Sequence, residues 1–195
     1  MASPDAAPRR YTVHRYLALV DDGVLQPDDP VELLEGLIVA EPPANPPHAS
    51  AVRRVEAALR AAVGPRAVIC VQQPFLAGPY SLPEPDVAVV PGRLEDYDLV
   101  HPREALLVVE VADASLQQDR LTKAPIYAAA GVAEYWIVNL AAGQIEIFRE
   151  PWPRRRRYAT TAVARPGDML ALAALDQASV AVDDLLPVRD RREPV

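Results

Sequence analysis

The chain has 195 residues, of which 50% are hydrophobic and 24% charged, and its formal net charge is −7. This composition is typical of one globular domain and excludes a chain that is disordered throughout. No apolar run approaches the roughly 18 residues of a membrane span, and the first ten residues lack the apolar core of a signal peptide. A single cysteine, Cys70, excludes an internal disulfide framework and a multi-cysteine zinc site. We therefore expect a cytoplasmic protein without a membrane partner.

The balance of charges narrows the function further. An acidic chain does not present a uniformly basic surface, so contact with nucleic acid would need a local basic patch. The cations are nineteen arginines and one lysine, Lys123. Arginine stays charged at ordinary pH, whereas lysine is a compact charge whose pKa its surroundings can shift. Lys123 is either a surface residue that is lysine by chance or a residue with a chemical role.

The N-terminal half of the chain predicts a tail, a helix, a hairpin and a second helix. Residues 1–11 are rich in proline and alanine and indicate a flexible tail. Helical spacing of apolar residues predicts a short helix over residues 12–20, with Thr12 as its N-cap. Two short strands follow within residues 31–40, and a longer helix covers residues 48–63.

The C-terminal half predicts most of a mixed sheet. Strands are expected at residues 67–73, 86–90, 105–111, 134–139, 144–149 and 158–164, with a short terminal element at 180–186. Residues 115–130 predict a helix that ends at Gly131, in which Pro125 causes a kink or a late start. The pattern indicates one α/β domain over residues 12–186, a mixed β-sheet flanked by helices, and a tail over residues 187–195.

Two carboxylates lie in strands that should be apolar. Asp86 opens the strand PDVAVV, and Glu110 lies near the end of LLVVEVA, the most apolar run of the chain. A carboxylate buried in a central strand costs several kcal/mol unless it is paired or binds a cation. Either each acid is solvated at a strand end, or the two share a site on neighbouring strands.

Lys123 lies in the helix that follows Glu110, and Asp119 precedes it by four residues. The two form either an exposed salt bridge worth about 0.3–0.5 kcal/mol or a site in which Lys123 points back to Asp86 and Glu110. Two carboxylates and a lysine are the minimal set for metal-dependent phosphodiester hydrolysis, in which the acids hold Mg²⁺ and the lysine positions the attacking water. We expect Lys123→Ala to abolish cleavage and to leave thermal stability nearly unchanged.

Four motifs, in their order along the chain, resemble those of a known family. They are PDVAVV, LLVVEV, DRLTK and YAAAGVAEYWIV. They are similar to the motifs of the Uma-type restriction endonucleases, members of the PD-(D/E)XK nuclease superfamily, and the similarity covers about residues 12–185. The resemblance implies a restriction-endonuclease-like mixed sheet flanked by helices, and cleavage of DNA with Mg²⁺ or Mn²⁺.

The resemblance also implies roles for single residues. Asp86 and Glu110 match the motif acids that bind the metal. The lysine of the superfamily signature usually follows the glutamate by two positions, where this chain has Ala112, so Lys123 matches a lysine displaced onto the helix. Glu32 matches an early glutamate that supports the metal, unless it is a solvent-facing residue of the hairpin.

Further candidates lie outside this set. His48 matches a family position at a helix start, where it either contacts a phosphate or is structural. A dense basic run after Trp152 either grips a nucleic-acid backbone or lies in a solvated loop between strands, and it consists of Arg154, Arg155, Arg156 and Arg157. Residues 112–115 depart from the Ser-Pro-Ser-Thr-like turn of the family, and Asp113 adds a charge there.

The sequence therefore predicts a metal-dependent DNA endonuclease with Asp86, Glu110, Lys123 and Glu32 in its site. The resemblance also implies a homodimer, since members of the superfamily often work as dimers and cutting both strands requires two sites. A rival hypothesis is a nuclease-fold module with little or no catalysis that binds nucleic acid or a partner, which the acidic charge and the altered turn favour. A third hypothesis is hydrolysis of a phosphate ester other than nucleic acid.

Overall fold

The computed structural model describes residues 10–26 and 28–188, which form both strands and helices. The strands are β1 (Val31–Leu34), β2 (Leu37–Ala40), β3 (Val68–Val71), β4 (Val87–Val90), β5 (Leu107–Ala112), β6 (Glu134–Asn139), β7 (Gln144–Trp152), β8 (Arg157–Ala164), β9 (Met169–Ala171) and β10 (Ser179–Ala181). The helices are α1 (Val13–Asp21), α2 (Pro46–Val63), α3 (Leu116–Gln118), α4 (Ala124–Ala130) and α5 (Val182–Leu185), with a π-helical turn at Asp119–Lys123.

The central sheet has six strands in the order β3-β4-β5-β6-β7-β8. Its β5–β6 pair is parallel, and its other pairs are antiparallel. A parallel pair needs a crossover connection, which the helical segment between β5 and β6 provides. The predicted mixed α/β sheet is confirmed, and so is the early hairpin, in which β1 pairs with β2. Strand β9, which pairs with β10, was not predicted from the sequence.

Helices cover both faces of the central sheet, and this arrangement determines where Glu110 points. One apolar cluster joins α2 to the sheet and includes Val109 and Val111 of β5. A second cluster on the opposite face contains Tyr127 and Ala128 of α4. Because side chains alternate along a strand, Glu110 points to the α4 side of the sheet.

The second helix begins at Pro46, two residues before its predicted start. Asn45 is its N-cap, and the Asn45 side chain accepts a hydrogen bond of 3.0 Å from the backbone N–H of His48. Proline is tolerated in the first turn because the N–H groups there have no partner within the helix. His48 therefore lies within the first turn of α2.

The helix predicted over residues 115–130 is not a regular α-helix. Its middle is the π-helical turn, in which the N–H of Ala124 donates to the carbonyl of Asp119. Pro125 accounts for an irregularity here, since it has no N–H to give and its ring would clash with the carbonyl four residues earlier in an α-helix. Gly131 ends α4 in the left-handed conformation (φ 78°), as the sequence predicts.

The ends of the chain mostly lie outside the described residues. This applies to the predicted tails at residues 1–11 and 187–195, so the predicted domain limits stay predictions. Within residues 10–26 and 28–188, no helix has both the length and the apolar character needed to span a membrane.

Candidate active site

A pocket of about 280 Å³ lies between the β1–β2 hairpin, the start of α2, the ends of β4 and β5, and the π-helical turn. Its basic side chains are Lys123 and His48. Seven carboxylates line it: Glu32, Glu41, Glu84, Asp86, Glu110, Asp113 and Asp119. So many acids in one place favour either the binding of a cation or the protonation of some carboxylates.

Asp86 immediately precedes β4 and is held by donors from three directions. Its Oδ2 accepts a hydrogen bond of 2.8 Å from the backbone N–H of Val111 and lies 3.2 Å from Nε2 of His48. The Gln72 amide lies 3.5 Å from Oδ1. The antiparallel pairing of β4 with β5 brings Asp86 next to the end of β5 that carries Glu110. The two acids therefore lie on adjacent strands and line one pocket.

Lys123 is the cation inside this group of acids. Its Nζ lies 3.1 Å from an oxygen of Glu110, 3.1 Å from one of Glu32 and 3.8 Å from one of Glu41. Burial lowers the pKa of Lys123, but the neighbouring carboxylates outweigh this effect and raise the pKa above its ordinary value. The side chain is therefore an ammonium at neutral pH.

The π-helical turn places Asp119 and Lys123 inside the protein. Asp119 is 1% exposed and Lys123 is 5% exposed, so the alternative of an exposed salt bridge between them is wrong. A π turn contains more residues than an α turn, so it changes which side chains share a face of the helix. Burial raises the pKa of Asp119 to about 6, although Lys123 and a 2.7 Å hydrogen bond from the Ser115 hydroxyl oppose this rise.

Glu110 is buried in the middle of the site. It is 4% exposed, and one of its oxygens accepts hydrogen bonds from Lys123 at 3.1 Å and from the Tyr127 hydroxyl at 2.6 Å. Burial raises the pKa of Glu110 well above its ordinary value, even though Lys123 lowers it. A further cation beside this carboxylate would therefore stabilise its ionised form.

Glu32 reaches the pocket from β1. It is 1% exposed, so the alternative of a solvent-facing hairpin residue is wrong. Besides its contact with Lys123, it accepts hydrogen bonds of 3.3 Å from the backbone N–H of Glu84 and from the Gln118 amide. An isolated antiparallel β-bridge, made by the backbones of Leu33 and Leu82, fixes the hairpin against the segment that leads to Asp86.

Sequence reasoning did not identify two acids of the pocket, Glu41 and Glu84. It noted a third, Asp119, but only as a partner of Lys123. Burial raises the pKa of Glu41 and of Glu84. Glu84 has a local signal, since it lies two residues before Asp86 in the stretch LPEPD. Glu41 has none, because its position depends on how the β1–β2 hairpin packs. Asp119 is visible in the motif DRLTK, but the regular helix assumed there hides its direction.

His48 and Asp113 also line the pocket. The 3.2 Å contact with Asp86 raises the pKa of His48, and this effect outweighs burial. The other ring nitrogen, Nδ1, is buried and has no hydrogen-bond partner among the described residues. Asp113 accepts a hydrogen bond of 2.5 Å from the Asn45 side chain, which connects the turn after β5 to the start of α2.

The four arginines lie outside this pocket, at the turn between β7 and β8. The guanidinium carbons of Arg155 and Arg157 lie 4.9 Å and 5.0 Å from the centroid of the Trp152 ring. Arg156 forms an ion pair with Glu35 in the turn of the β1–β2 hairpin. The predicted position between strands is confirmed, and contact with nucleic acid stays a prediction.

The donor chemistry of the pocket fits a hard divalent cation. No group of three or more His, Cys, Asp or Glu side chains in the described ranges is arranged to hold a metal ion. Mg²⁺ does not need such a group, since one or two carboxylates, waters and substrate phosphates commonly complete its coordination. Asp86 and Glu110 supply carboxylate oxygens on adjacent strands, and Glu110 lies where a cation would favour its ionised form.

Comparisons with known proteins agree with the fold. The model of the Uma2 family, described as "Putative restriction endonuclease", matches residues 13–183. The fold is similar to the crystal structure of a "putative nuclease belonging to DUF820" from Anabaena variabilis, with a TM-score of 0.71 and 17% sequence identity. This similarity covers 90% of the present chain and 97% of the other. No curated protein matches the chain.

Proposed function

Because the chain belongs to the Uma2 restriction endonuclease family, we propose that it is a metal-dependent endonuclease that hydrolyses phosphodiester bonds of DNA. The position of its single lysine carries the proposal. Lys123 lies within 3.1 Å of both Glu110 and Glu32, in a pocket that Asp86 also lines. Burying four charged groups together is costly for folding, so a structural role alone is a weak explanation for them.

Asp86 and Glu110 are the residues that would hold Mg²⁺ or Mn²⁺. When bound, such an ion polarises a phosphate oxygen and lowers the pKa of a water molecule. The N–H of Val111 and the ring of His48 orient the Asp86 carboxylate. The hydroxyl of Tyr127 orients the Glu110 carboxylate in the same way. Fixed carboxylates of this kind lose little freedom when they bind a cation.

Lys123 provides the positive charge for the reaction. An ammonium has three N–H donors, and oxygens of Glu110 and Glu32 lie within hydrogen-bond distance of two of them. The third donor, which has only the more distant Glu41 carboxylate at 3.8 Å, would serve the attacking water or a phosphate oxygen. A fixed ammonium in a partly buried site stabilises the negative charge that develops on the phosphate. Glu32 contributes by holding Lys123 in position.

One observation favours the rival function, a nuclease-fold module that binds nucleic acid without cutting it. The carboxylates of Glu110 and Glu32 are already paired with Lys123, and no complete metal cage is present among the described residues. A module of this kind would bind DNA in the presence of EDTA and would leave it intact. Hydrolysis of a small phosphodiester without nicking of DNA would indicate the third hypothesis, a different phosphate ester.

Nicking of supercoiled plasmid in Mg²⁺ or Mn²⁺ tests the proposal. We expect nicking by the parent, its loss with EDTA, and its loss in Asp86→Asn, which keeps the shape of the side chain. Asp184→Asn makes the same change at an exposed aspartate of α5 and should nick like the parent. Equal nicking by Asp86→Asn would place the activity at a different centre or in a contaminant. The homodimer stays a prediction that light scattering can test.

A further inference from the structure

We propose that the turn between β7 and β8 is a second DNA contact, which binds the phosphate backbone beside the active site. We call it the arginine turn, and it consists of Trp152, Pro153, Arg154, Arg155, Arg156 and Arg157. The inference rests on the proposed function, because it takes DNA as the substrate.

The active-site pocket itself has more acids than bases, which is unfavourable for a phosphate until a cation is bound. Seven carboxylates line it against Lys123 and His48, and the whole chain has a net charge of −7. Phosphate contacts supply most of the affinity of proteins for DNA, and these contacts come mainly from arginine and lysine. A DNA substrate therefore needs a basic surface near the pocket but outside it.

The arginine turn concentrates positive charge on the surface. Its four arginines are all exposed, and the acids beside them are Glu150 in the chain and Glu35, which pairs with Arg156. A guanidinium can form paired hydrogen bonds with the oxygens of one phosphate, which an ammonium cannot do. The group therefore has the chemistry of a phosphate-binding site.

The turn also restricts the conformations of its arginine side chains. The guanidinium groups of Arg155 and Arg157 both lie over the ring of Trp152, which is itself 43% exposed. A guanidinium stacked on an aromatic ring has lost much of its freedom and still presents N–H groups at its edges. The N–H of Arg156 donates to the carbonyl of Pro153, which closes the turn. Part of the ordering that binding requires is thus already present in the free protein.

Two contacts place the arginine turn beside the active site. Arg156 pairs with Glu35, which follows Glu32 by three residues, so the backbones of these two acids are at most about 10 Å apart. The turn also packs against α4, the helix that directly follows Lys123. A duplex whose phosphate enters the active-site pocket would therefore also pass close to the arginine turn.

The test measures DNA binding without catalysis, using a fluorescent 20-base-pair duplex in EDTA at several salt concentrations. The variant Arg155→Gln/Arg157→Gln removes the two stacked arginines and keeps the Arg156–Glu35 pair. The control Arg60→Gln/Arg165→Gln removes the same charge elsewhere. Arg60 lies about 18 Å along α2 from His48, and Arg165 directly follows β8, about 26 Å along the strand direction from Arg157. Melting temperatures of all three proteins show that each is folded.

We expect the variant to bind DNA about tenfold or more weakly than the parent at 0.1 M salt, and the control to bind within about twofold of the parent. Log affinity falls with log salt concentration, and each phosphate contact adds about 0.9 to the steepness of this fall. The loss of two contacts should therefore make the variant's slope less steep by about 2. Equal affinity and slope in variant and control would overturn the inference, as would a parent that binds duplex RNA but not DNA. This result is independent of nicking by Asp86→Asn, so the two proposals can fail separately.

Discussion

The ammonium of Lys123 lies 3.1 Å from the carboxylate of Glu110, although thirteen residues separate them along the chain. Glu110 belongs to β5, whose side chains alternate between the two faces of the sheet, and Lys123 ends the π-helical turn that follows. The pair therefore depends on the strand, the turn and the crossover together. It also leaves each charge buried, so each stabilises the other.

Replacement of Lys123 by alanine should abolish nicking and also lower the free energy of unfolding. It leaves Glu110 and Glu32 buried without their counter-charge, a loss of about 3–5 kcal/mol when the acids are ionised. This replaces the expectation from the sequence that stability would hardly change. Without the lysine, the pKa of Glu110 rises still further, so the folded state binds a proton that the unfolded state releases. Stability should therefore fall as the pH rises from 5 to 8.

Urea unfolding at pH 5 and pH 8 measures this effect of Lys123→Ala. The double variant Lys123→Ala/Glu110→Gln removes the unpaired charge and should recover part of the stability at pH 8. A loss of the same size at both pH values, with no recovery in the double variant, would contradict the ion-pair explanation.

Tyr127→Phe should lower the nicking rate by about tenfold, because it removes the hydroxyl that donates to Glu110. A hydrogen bond to a charged group contributes about 1.5–3 kcal/mol, so the melting temperature should fall as well. Tyr158→Phe is the matched control, since its buried hydroxyl donates to the carbonyl of Val132 instead. Steady-state nicking by both variants tests this prediction, and equal loss of activity in the two would argue against a specific role of Tyr127.

Asp119→Asn should become more stable relative to the parent as the pH rises. Burial raises the pKa of Asp119 from 3.8 to about 6 in the folded protein, so the folded state holds this proton more tightly than the unfolded state. Ionisation of Asp119 therefore reduces the stability of the parent between about pH 4 and pH 6, by up to about 3 kcal/mol. The amide of the variant does not titrate, and its oxygen can still accept the Ser115 hydrogen bond.

The measurement for Asp119 is the difference in unfolding free energy between variant and parent at pH 4 and pH 7. Asp119 also raises the pKa of Glu110, so its replacement lowers that pKa too, and both effects stabilise the variant relative to the parent as the pH rises. An unchanged difference would show that Asp119 has an ordinary pKa in the folded state.

Glu134→Gln should destabilise the protein without a specific loss of activity. Glu134 is fully buried at the start of β6 and accepts hydrogen bonds from the Trp136 indole, the Arg149 guanidinium and the backbone N–H of Ala173. The amide cannot satisfy all three donors, which predicts a loss of about 1–3 kcal/mol. Nicking at a temperature well below the melting point should match the parent. A large loss of nicking by the folded variant would link Glu134 to the site.

The sequence predicted most of the strands, because apolar runs and turn residues determine these locally. It left open whether Asp86 and Glu110 share a site, since the pairing of β4 with β5 is not a local property of the chain. The sequence also left open whether the Lys123 side chain points to solvent or into the site. Helical periodicity assumes 3.6 residues per turn, and the π-helical turn departs from that value. Glu41 could not be found, since its contact with Lys123 depends on how the β1–β2 hairpin packs against distant parts of the chain. Strand β9 has three residues, too few for a periodic signal.

The π-helical turn also makes the site sensitive to a change in chain length. An α-helix rotates about 100° per residue, and a π turn is an α turn with one residue inserted. Deletion of one codon among residues 120–122 would remove the inserted residue of this turn and swing the lysine side chain away from Glu110. Such an allele would keep every acid and the lysine itself, so an inventory of motif residues would still class it as intact.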